Sequence, residues 1–458
     1  MRKSLVVAAA SVTLLAACSS SKKATTTSTT AGATATTAGA PATTTAPGSA
    51  PTTVAGSAGV GAPTAPPLPP VTGHTTTGVS ATEIHVGAIL YKAFYASGLT
   101  GFEARIKKEN DAGGIYGRKI VVDAALDDGQ VEDQDITAAK TLVQQDNVFA
   151  VAPVFTAAFS GATYLNDNKV PFFGWSVQPI WCGLNWGFGF WGNDCDPAVL
   201  PTAGDFTPDE AKLFPDGTVK GKAISIVSEE NDSARVEANS LKAIWSGGGA
   251  NVVEVDSSIP SPPAVVGDYT PFADKVLSSN AGQAPDLVQI VGSVSDTLSL
   301  YKKLVQLGFK GIIQDFDLYD PFFATSTKGL VTGIQIEPPE AASSVPAVQT
   351  MVADLKAFDP KVSLGQTTVA GYWTADFLIQ ALKKVGPDLS REALYNAING
   401  GFTFTYNGGG GVPVQWPLGH MRIQVGTGFV QANGTGFTVL ARPDHLDSFI
   451  PNPVYKKP

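Results

Sequence analysis

The stretch ARIKKENDAGGIYGRKIVVDAALDDGQVEDQDITAAKTLVQQDNVFAVAPV, residues 104–154, contains a helix–strand–helix–strand rhythm. Leu99, Phe102 and Ile106 fall on one helical face, and Gly113-Gly114 closes that helix. KIVVDAAL (119–126) is an apolar run of strand length. In ITAAKTLVQQ (136–145) Ile136, Ala139 and Val143 align on a second helix, and VFAVAP (148–153) is the next strand. Strands joined through helices run parallel, and a parallel sheet needs helices over both of its faces.

The rhythm extends in both directions. IHVGAIL (84–90) precedes the stretch as a strand; a short helix from about Ala157 and the strand VPFFGWS (170–176) follow it. After the irregular, aromatic-rich segment 177–220 the pattern restarts with the strand AISIVS (223–228) and a helix through Ala243, Ile244 and Trp245. The strand NVVEV, a helix around Phe272–Leu277, the strand DLVQIV, the helix SDTLSLYKKLVQLG and the strand GIIQDF come next. LVTGIQI, three helices (around Val348–Phe358, Val369–Val385 and Arg391–Ile398) and a β-like tail of MRIQV, GFVQA and FTVLA close the chain. Two such series argue for two α/β lobes in place of one large sheet. The 458-residue chain carries no internal repeat, and the part from Ala81 on is ample for two domains.

The N-terminal part reads differently. Arg2 and Lys3 precede the apolar run Leu5–Ala17, which is too short to span a bilayer, a length that needs about 20 apolar residues. This is the layout of a secretory signal. Leu15-Ala16-Ala17-Cys18 resembles the bacterial lipobox, which implies cleavage before Cys18 (signal 1–17) and a lipid anchor on its thiol. Residues 18–80 are rich in Ala, Thr, Ser, Gly and Pro; the first acidic residue after Cys18 is Glu83 and the first aromatic Tyr91. A chain of that composition buries too little apolar surface to offset its entropy, so a disordered tether is expected. About 60 such residues span an r.m.s. distance of about 40–46 Å. The composition is compatible with O-glycosylation.

Net charge is −9, and loss of Arg2 and Lys3 takes it to −11. That disfavours nucleic acid or an anionic membrane face as a partner. Export permits disulfides, and Cys182 and Cys195 are the pair left once Cys18 is acylated, so a bond between them is expected. The chain has no G-x-S-x-G, no G-x-x-x-x-G-K-[ST], no H-E-x-x-H and no C-x-x-C. His74, His85, His420 and His445 are scattered without metal-ligand spacing. Asp127-Asp128 directly follows a strand, where such pairs cap turns or helices, and GGIYGRK follows a helix and precedes a strand, the reverse of a phosphate-cradling loop. No catalytic residue, cofactor or metal is expected, and no enzyme.

The opening stretch resembles the branched-chain amino-acid (Leu/Ile/Val) type solute-binding proteins of ABC importers. Asn110, Gly113, Gly114, Ile115, Gly117, Arg118, Asp127, Asp128, Ala138, Ala139, Leu142 and Val143 fit that family's first-lobe pattern, and DLVQIVGSVSDTLSLYKKLVQLGFKG (286–311) agrees in the second. The resemblance implies the type I periplasmic-binding-protein fold: two doubly wound, Rossmann-like lobes joined by three crossovers, with a ligand clamped between them. Lobe I is then expected over 81–203 and 335–410, and lobe II over 204–334 and 411–458. The resemblance further implies an extracytoplasmic lipoprotein, a monomer, that hands a small molecule (an amino acid, amide or related organic solute) to ABC permease subunits. A ligand-sensing module of the same fold coupled to a signalling receptor is the alternative.

Carried over residue by residue, the family's first-lobe contacts fall on Phe94 or Tyr95, on Phe155, Thr156 and Ala157, and on Trp175, Ser176, Val177 and Gln178. In the second lobe they fall on Ser233, on Ser293-Val294, which stand in place of aromatics, and on the acidic Asp317. WCGLNWGFGFWGNDC (181–195) has two readings, a packed loop at the lobe boundary or a lid over the cleft mouth. As a lid it would, with Phe94, Tyr95, Phe155 and Trp175, favour a flat apolar or amide-bearing ligand.

Overall fold

The computed structural model describes residues 65–156, 159–176, 178–196, 198–199, 207–261, 264–316 and 318–447. The chain starts with β1 (Glu83–Leu90), α1 (Lys92–Asp111), β2 (Lys119–Asp127), α2 (Glu132–Gln144), β3 (Ala150–Phe155), α3 (Ala162–Asp167), β4 (Phe172–Gly174) and β5 (Gly187–Gly189). These five strands form one parallel sheet in the order β2-β1-β3-β4-β5. The motif at the end of α1 explains itself locally. Asn110 Nδ2 donates to the Ile120 carbonyl at 2.8 Å and its Oδ1 accepts from the Ile120 N–H at 2.9 Å, so one side chain ties the helix end to the next strand. Gly114, at φ +70°, brings its backbone against the Arg118 carbonyl, where a Cβ would collide.

The second lobe follows: α4 (Thr207–Glu210), β6 (Ala223–Glu229), α5 (Asp232–Gly247), β7 (Asn251–Ile259), α6 (Thr270–Ser278), β8 (Leu287–Val291), α7 (Val294–Gln306), β9 (Ile312–Asp315), α8 (Pro321–Ala324) and β10 (Val331–Ile334). The chain then returns to the first lobe with α9 (Pro346–Phe358), α10 (Gln366–Val385), α11 (Arg391–Asn399) and the small pair β11 (Thr403–Phe404) and β12 (Val414–Gln415). It ends in the second with β13 (Gly428–Ala432) and β14 (Phe437–Ala441). The second sheet runs β14-β13-β10-β9-β8-β6-β7, antiparallel only at β10/β13 and β13/β14. Two α/β lobes with three crossings between them are the architecture expected. β6 and β8 are buried along their whole length, as strands covered by helices on both faces must be.

Three expectations change. Val414, Trp416 and Val425 pack into the first lobe's core, so the last crossing comes after them and not at 410/411. MRIQV is not a strand: Met421 O accepts from Cys195 N and Gln424 N donates to Trp191 O, which commits this segment to the 191–195 loop. The expected disorder up to residue 80 also fails from residue 65 onward. Val71 exchanges hydrogen bonds with Asn396 (2.8 and 2.9 Å), and Thr75 N and Oγ1 both donate to Glu392 at 2.7 Å, so this end of the segment is strapped along α11. Signal, Cys18 and the tether to residue 64 lie outside the described residues.

What positions the cleft is the pairing of α1 with α10. A Cβ on Gly101 would strike the Thr368 carbonyl, and one on Gly371 the Gly98 carbonyl, so the two helices lie backbone on backbone. Gly98 also faces the Phe155 ring. This close approach brings the start of α10 beside the start of α1.

Candidate functional site

A cavity of about 360 Å³ lies between the lobes. From the first lobe it is lined by the first turns of α1 (Lys92, Phe94, Tyr95, Ser97), by Trp175 after β4, and by Ser363, Gln366 and Thr367 at the start of α10. From the second come Val294 at the start of α7 and Tyr319, Asp320, Phe322 and Phe323 after β9. Its walls are therefore strand ends and helix starts, the edge at which open α/β sheets hold ligands.

The first-lobe wall is aromatic and braced from behind. Trp175 meets Tyr95 edge-on at 5.6 Å, Phe155 at 6.2 Å and Trp191 at 5.9 Å, while Phe94 leans on Tyr91 at 5.5 Å. Two polar atoms of the lining have no hydrogen-bond partner among the described residues: the Trp175 Nε1–H, a donor, and Gln366 Oε1, an acceptor. Both are buried, where an unmade hydrogen bond costs about 1–3 kcal/mol. The lobes also touch directly beside the cavity. Gln366 N donates to the Tyr319 carbonyl at 2.8 Å, and Ser363 Oγ donates to Asp320 Oδ1 at 2.7 Å.

Of the residues carried over by resemblance, Phe94, Tyr95 and Trp175 line the cavity, and Phe155 packs behind Trp175. The polar ones of the first lobe make hydrogen bonds within it. Thr156 Oγ1 donates to the Asp128 carboxylate, Ser176 Oγ to the Gly192 carbonyl at 2.6 Å, and Gln178 Nε2 to the Thr156 carbonyl while its Oε1 accepts from Trp181 Nε1 at 2.9 Å. Ser293 caps α7, its Oγ accepting from Asp296 N at 3.3 Å and its own N–H donating to Glu229 at 2.6 Å. Ala157, Val177 and Asp317 lie outside the described residues, as does the side chain of Ser233.

Behind each wall sit buried acids. Burial raises Asp128 and pushes Asp135 up to about 7, against the opposing pull of the Gly161 N–H at 2.7 Å. Burial also raises Glu229, which shares Ser293 with Asp296. Tyr269 donates to Asp296, which completes a polar cap over the second lobe's strand ends.

The 181–195 loop is not a lid. Trp181 is fully buried between Phe159 and Phe172 (5.4 and 4.9 Å), Trp186 lies on Tyr395 at 4.6 Å, and 187–189 is strand β5. Cys182 and Cys195 are disulfide-bonded, as expected. No residue of this loop lines the cavity.

Sequence reasoning missed Lys92, Tyr319, Asp320, Phe322 and Gln366. Asp320-Pro321 carries a signal: an N-cap aspartate accepting from Phe322 N, with proline at the first helical position. Gln366 carries none, because the α1–α10 contact alone puts it there.

The sequence pattern of the periplasmic binding protein family matches residues 90–435, three quarters of the chain, and the protein belongs to that family. No curated protein matches it. Among solved structures, the solute-binding protein of an ABC transporter from R. palustris in complex with benzoate is 16% identical, with a TM-score of 0.64 over 80% of this chain and 98% of that one. A fatty acid ABC transporter substrate-binding protein from Thermomonospora curvata is 17% identical (TM-score 0.63; 81% and 94% covered). The branched-chain amino acid transporter substrate-binding protein of Streptococcus pneumoniae, in complex with isoleucine, is 13% identical (TM-score 0.62; 81% and 100% covered). At these identities the likeness is one of fold.

No helix among the described residues is long and apolar enough to cross a membrane.

Proposed function

We propose that this chain is the extracytoplasmic solute-binding lipoprotein of an ABC importer, gripping a small organic molecule between its lobes and delivering it to a permease. The observation that carries the reading is the interlobe cavity, whose aromatic wall contains an unpaired donor on Trp175 and an unpaired acceptor on Gln366. Such a cavity is at the lower end of the size range of small-molecule sites, about 300–1,000 Å³. The aromatic faces suit a flat or apolar body. The unpaired donor and acceptor suit a head group that offers both an acceptor and a donor, as an amide does, or a carboxylic acid with a neighbouring hydroxyl or amine. Phe94, Tyr95 and Trp175 would hold the body; the remaining carried-over residues, Phe155, Thr156, Ser176, Gln178 and Ser293, would shape the wall from behind or beside it. Asp317 and Ser233 remain proposed second-lobe contacts, with Ala157 in the first. Binding is followed by release, with no bond made or broken.

The anchor belongs to the same reading. A lipid-modified Cys18 and the Ala/Thr/Pro-rich tether would keep the binding lobes at the outer face of the cell membrane. Cys18→Ala is expected to release the protein into the medium; undiminished membrane retention would remove the anchor from the proposal.

Native mass spectrometry of the purified protein is expected to show a co-purified small molecule, confirmed by thermal shift with the identified compound. Trp175→Ala should lower affinity for it at least tenfold, since an aromatic wall and a hydrogen-bond donor go together. Wild-type affinity in Trp175→Ala would move the site elsewhere.

A further inference from the structure

We propose that Asp209, His445 and Asp447 bind one divalent transition-metal ion of the zinc class, at a site remote from the interlobe cavity. One donor atom from each residue lies within 4.8 Å of the other two, and Asp209 Oδ2 is 3.4 Å from His445 Nε2. Three ligands at about 2.0–2.2 Å from a tetrahedral ion stand about 3–4 Å apart, so only a small inward shift is required.

The independent sign of a ligand is Asp209 Oδ2. The residue is 1% exposed, and this oxygen has no hydrogen-bond partner among the described residues, while it faces the imidazole. A buried carboxylate oxygen left so is costly, and a cation among these three groups would complete it.

Each ligand is also held from behind, as metal ligands are. Lys212 Nζ takes Asp209 Oδ1 at 2.5 Å and leaves Oδ2 free of it. Thr427 holds Asp447 through its N–H at 3.1 Å and its Oγ1 at 2.6 Å, and both Asp447 oxygens keep a second lone pair. Asp444 Oδ1 lies 3.3 Å from His445 Nδ1. In the tautomer that donates from Nδ1 to Asp444, the lone pair on Nε2 faces Asp209 and is available to an ion. The imidazole selects a zinc-type ion over calcium or magnesium, which take oxygen ligands. The His445 side chain is 53% exposed and gives the ion a route in.

The position suggests what the ion does. Asp209 lies on α4, at the entry to the second lobe; His445 and Asp447 follow β14, where the chain leaves it; Thr427 precedes β13. The ion would tie entry to exit, so that occupancy changes thermal stability and leaves solute binding intact. The site does not depend on the transport reading.

The test uses the full-length, untagged chain, stripped with EDTA and titrated with ZnCl2 by calorimetry, with a melting curve at each end point. One equivalent is expected to bind and to raise the melting temperature. His445→Ala and Asp209→Asn should each weaken that binding at least tenfold and remove the thermal shift, while His85→Ala, at another acid-flanked histidine, leaves both unchanged. His445 is half exposed, so its loss will not unfold the chain. Zinc binding equal in wild type and His445→Ala, or no zinc bound at micromolar concentration, would overturn the proposal and leave a plain His445–Asp209 contact. So would Ca2+ binding that His445→Ala does not affect.

Discussion

Trp181 in the first lobe and Trp245 in the second are both fully buried, and each indole donates to a glutamine oxygen, Gln178 at 2.9 Å and Gln289 at 2.7 Å. Their surroundings differ. Trp181 is enclosed by Phe159 and Phe172, and elsewhere in its lobe rings stack on rings through Phe173, Phe188, Phe377 and Trp416. Trp245 sits among Ile224, Ile226, Leu241, Ile244 and Leu287. The first lobe's aromatic packing runs out to the cavity, where Trp191 and Phe155 brace Trp175, so that wall is set by its own core. The second lobe's core ends beneath a polar cap of Glu229, Ser293, Asp296 and Tyr269, and its contribution to the cavity includes Phe322, 81% exposed. One wall is braced by the core behind it, and the other presents an exposed ring.

The largest test of that contrast is a pair of core truncations. Trp181→Ala should cost about 3–5 kcal/mol in urea unfolding, as should Trp245→Ala. The milder Phe replacements should separate them. Gln289 Nε2 already lacks a partner, so Trp245→Phe strips its amide of all hydrogen bonds and should cost about 1–3 kcal/mol. Trp181→Phe should cost less, because Gln178 keeps the Thr156 carbonyl. Equal costs would say that ring surroundings and the polar partner do not distinguish the lobes.

Next in size is the Cys182–Cys195 bond, which closes a loop 13 residues apart. Replacing both cysteines by alanine should lower stability by about 3 kcal/mol in the chain-entropy view. Hydrogen exchange should locate the loosening at β5 and its neighbours and leave the second sheet protected. Uniform loosening of both sheets would deny the lobes their independence.

Asp135 gives a smaller, pH-dependent effect. Burial holds its folded pKa near 7 against 3.8 for the ordinary group, so the folded state keeps a proton that the unfolded chain has lost. The stability this proton gives is whole below about pH 4 and is lost as pH rises through 7, at up to about 1.4 kcal/mol per unit. Asp135→Asn keeps an acceptor for Gly161 and should flatten the profile, with a difference of about 1–3 kcal/mol between pH 5 and 8. Parallel profiles for the two proteins would refute it.

The smallest expected effect tests the contact between the walls. Ser363→Ala removes the hydrogen bond to Asp320 and should alter ligand affinity about two- to fivefold, about 0.5–1 kcal/mol, with unfolding unchanged. A tenfold loss would make this contact a main latch and not an accessory to the aromatic wall.

Legibility followed distance along the chain. The Asn110–Arg118 pattern could be read because its bonds close within ten residues, from the end of α1 to the start of β2. Phe94, Tyr95 and Trp175 could be read because an aromatic after a strand, in a chain of this family, falls at the sheet edge. The Thr156–Asp128 hydrogen bond could not be read: it passes across the end of β1, and nothing local reveals that Asp128 is buried. Gln366 stands far in sequence from Tyr95 and reaches the same cavity only because Gly98, Gly101 and Gly371 let two helices touch. Apolar, alternating MRIQV had the pattern of a strand, but the disulfide loop had already claimed its backbone.

By itself the sequence determined the alternation of strands and helices, its restart after residue 220, and hence two parallel-sheet lobes, because apolar periodicity and glycine stops act over a few residues. Only the tertiary structure decided which face of each lobe became the cavity wall. It also decided that the Trp-rich loop fills a core and that Trp175 and Gln366 keep unpaired polar atoms. Those outcomes depend on which groups win burial and partners in competition across hundreds of residues, and that contest is settled by packing.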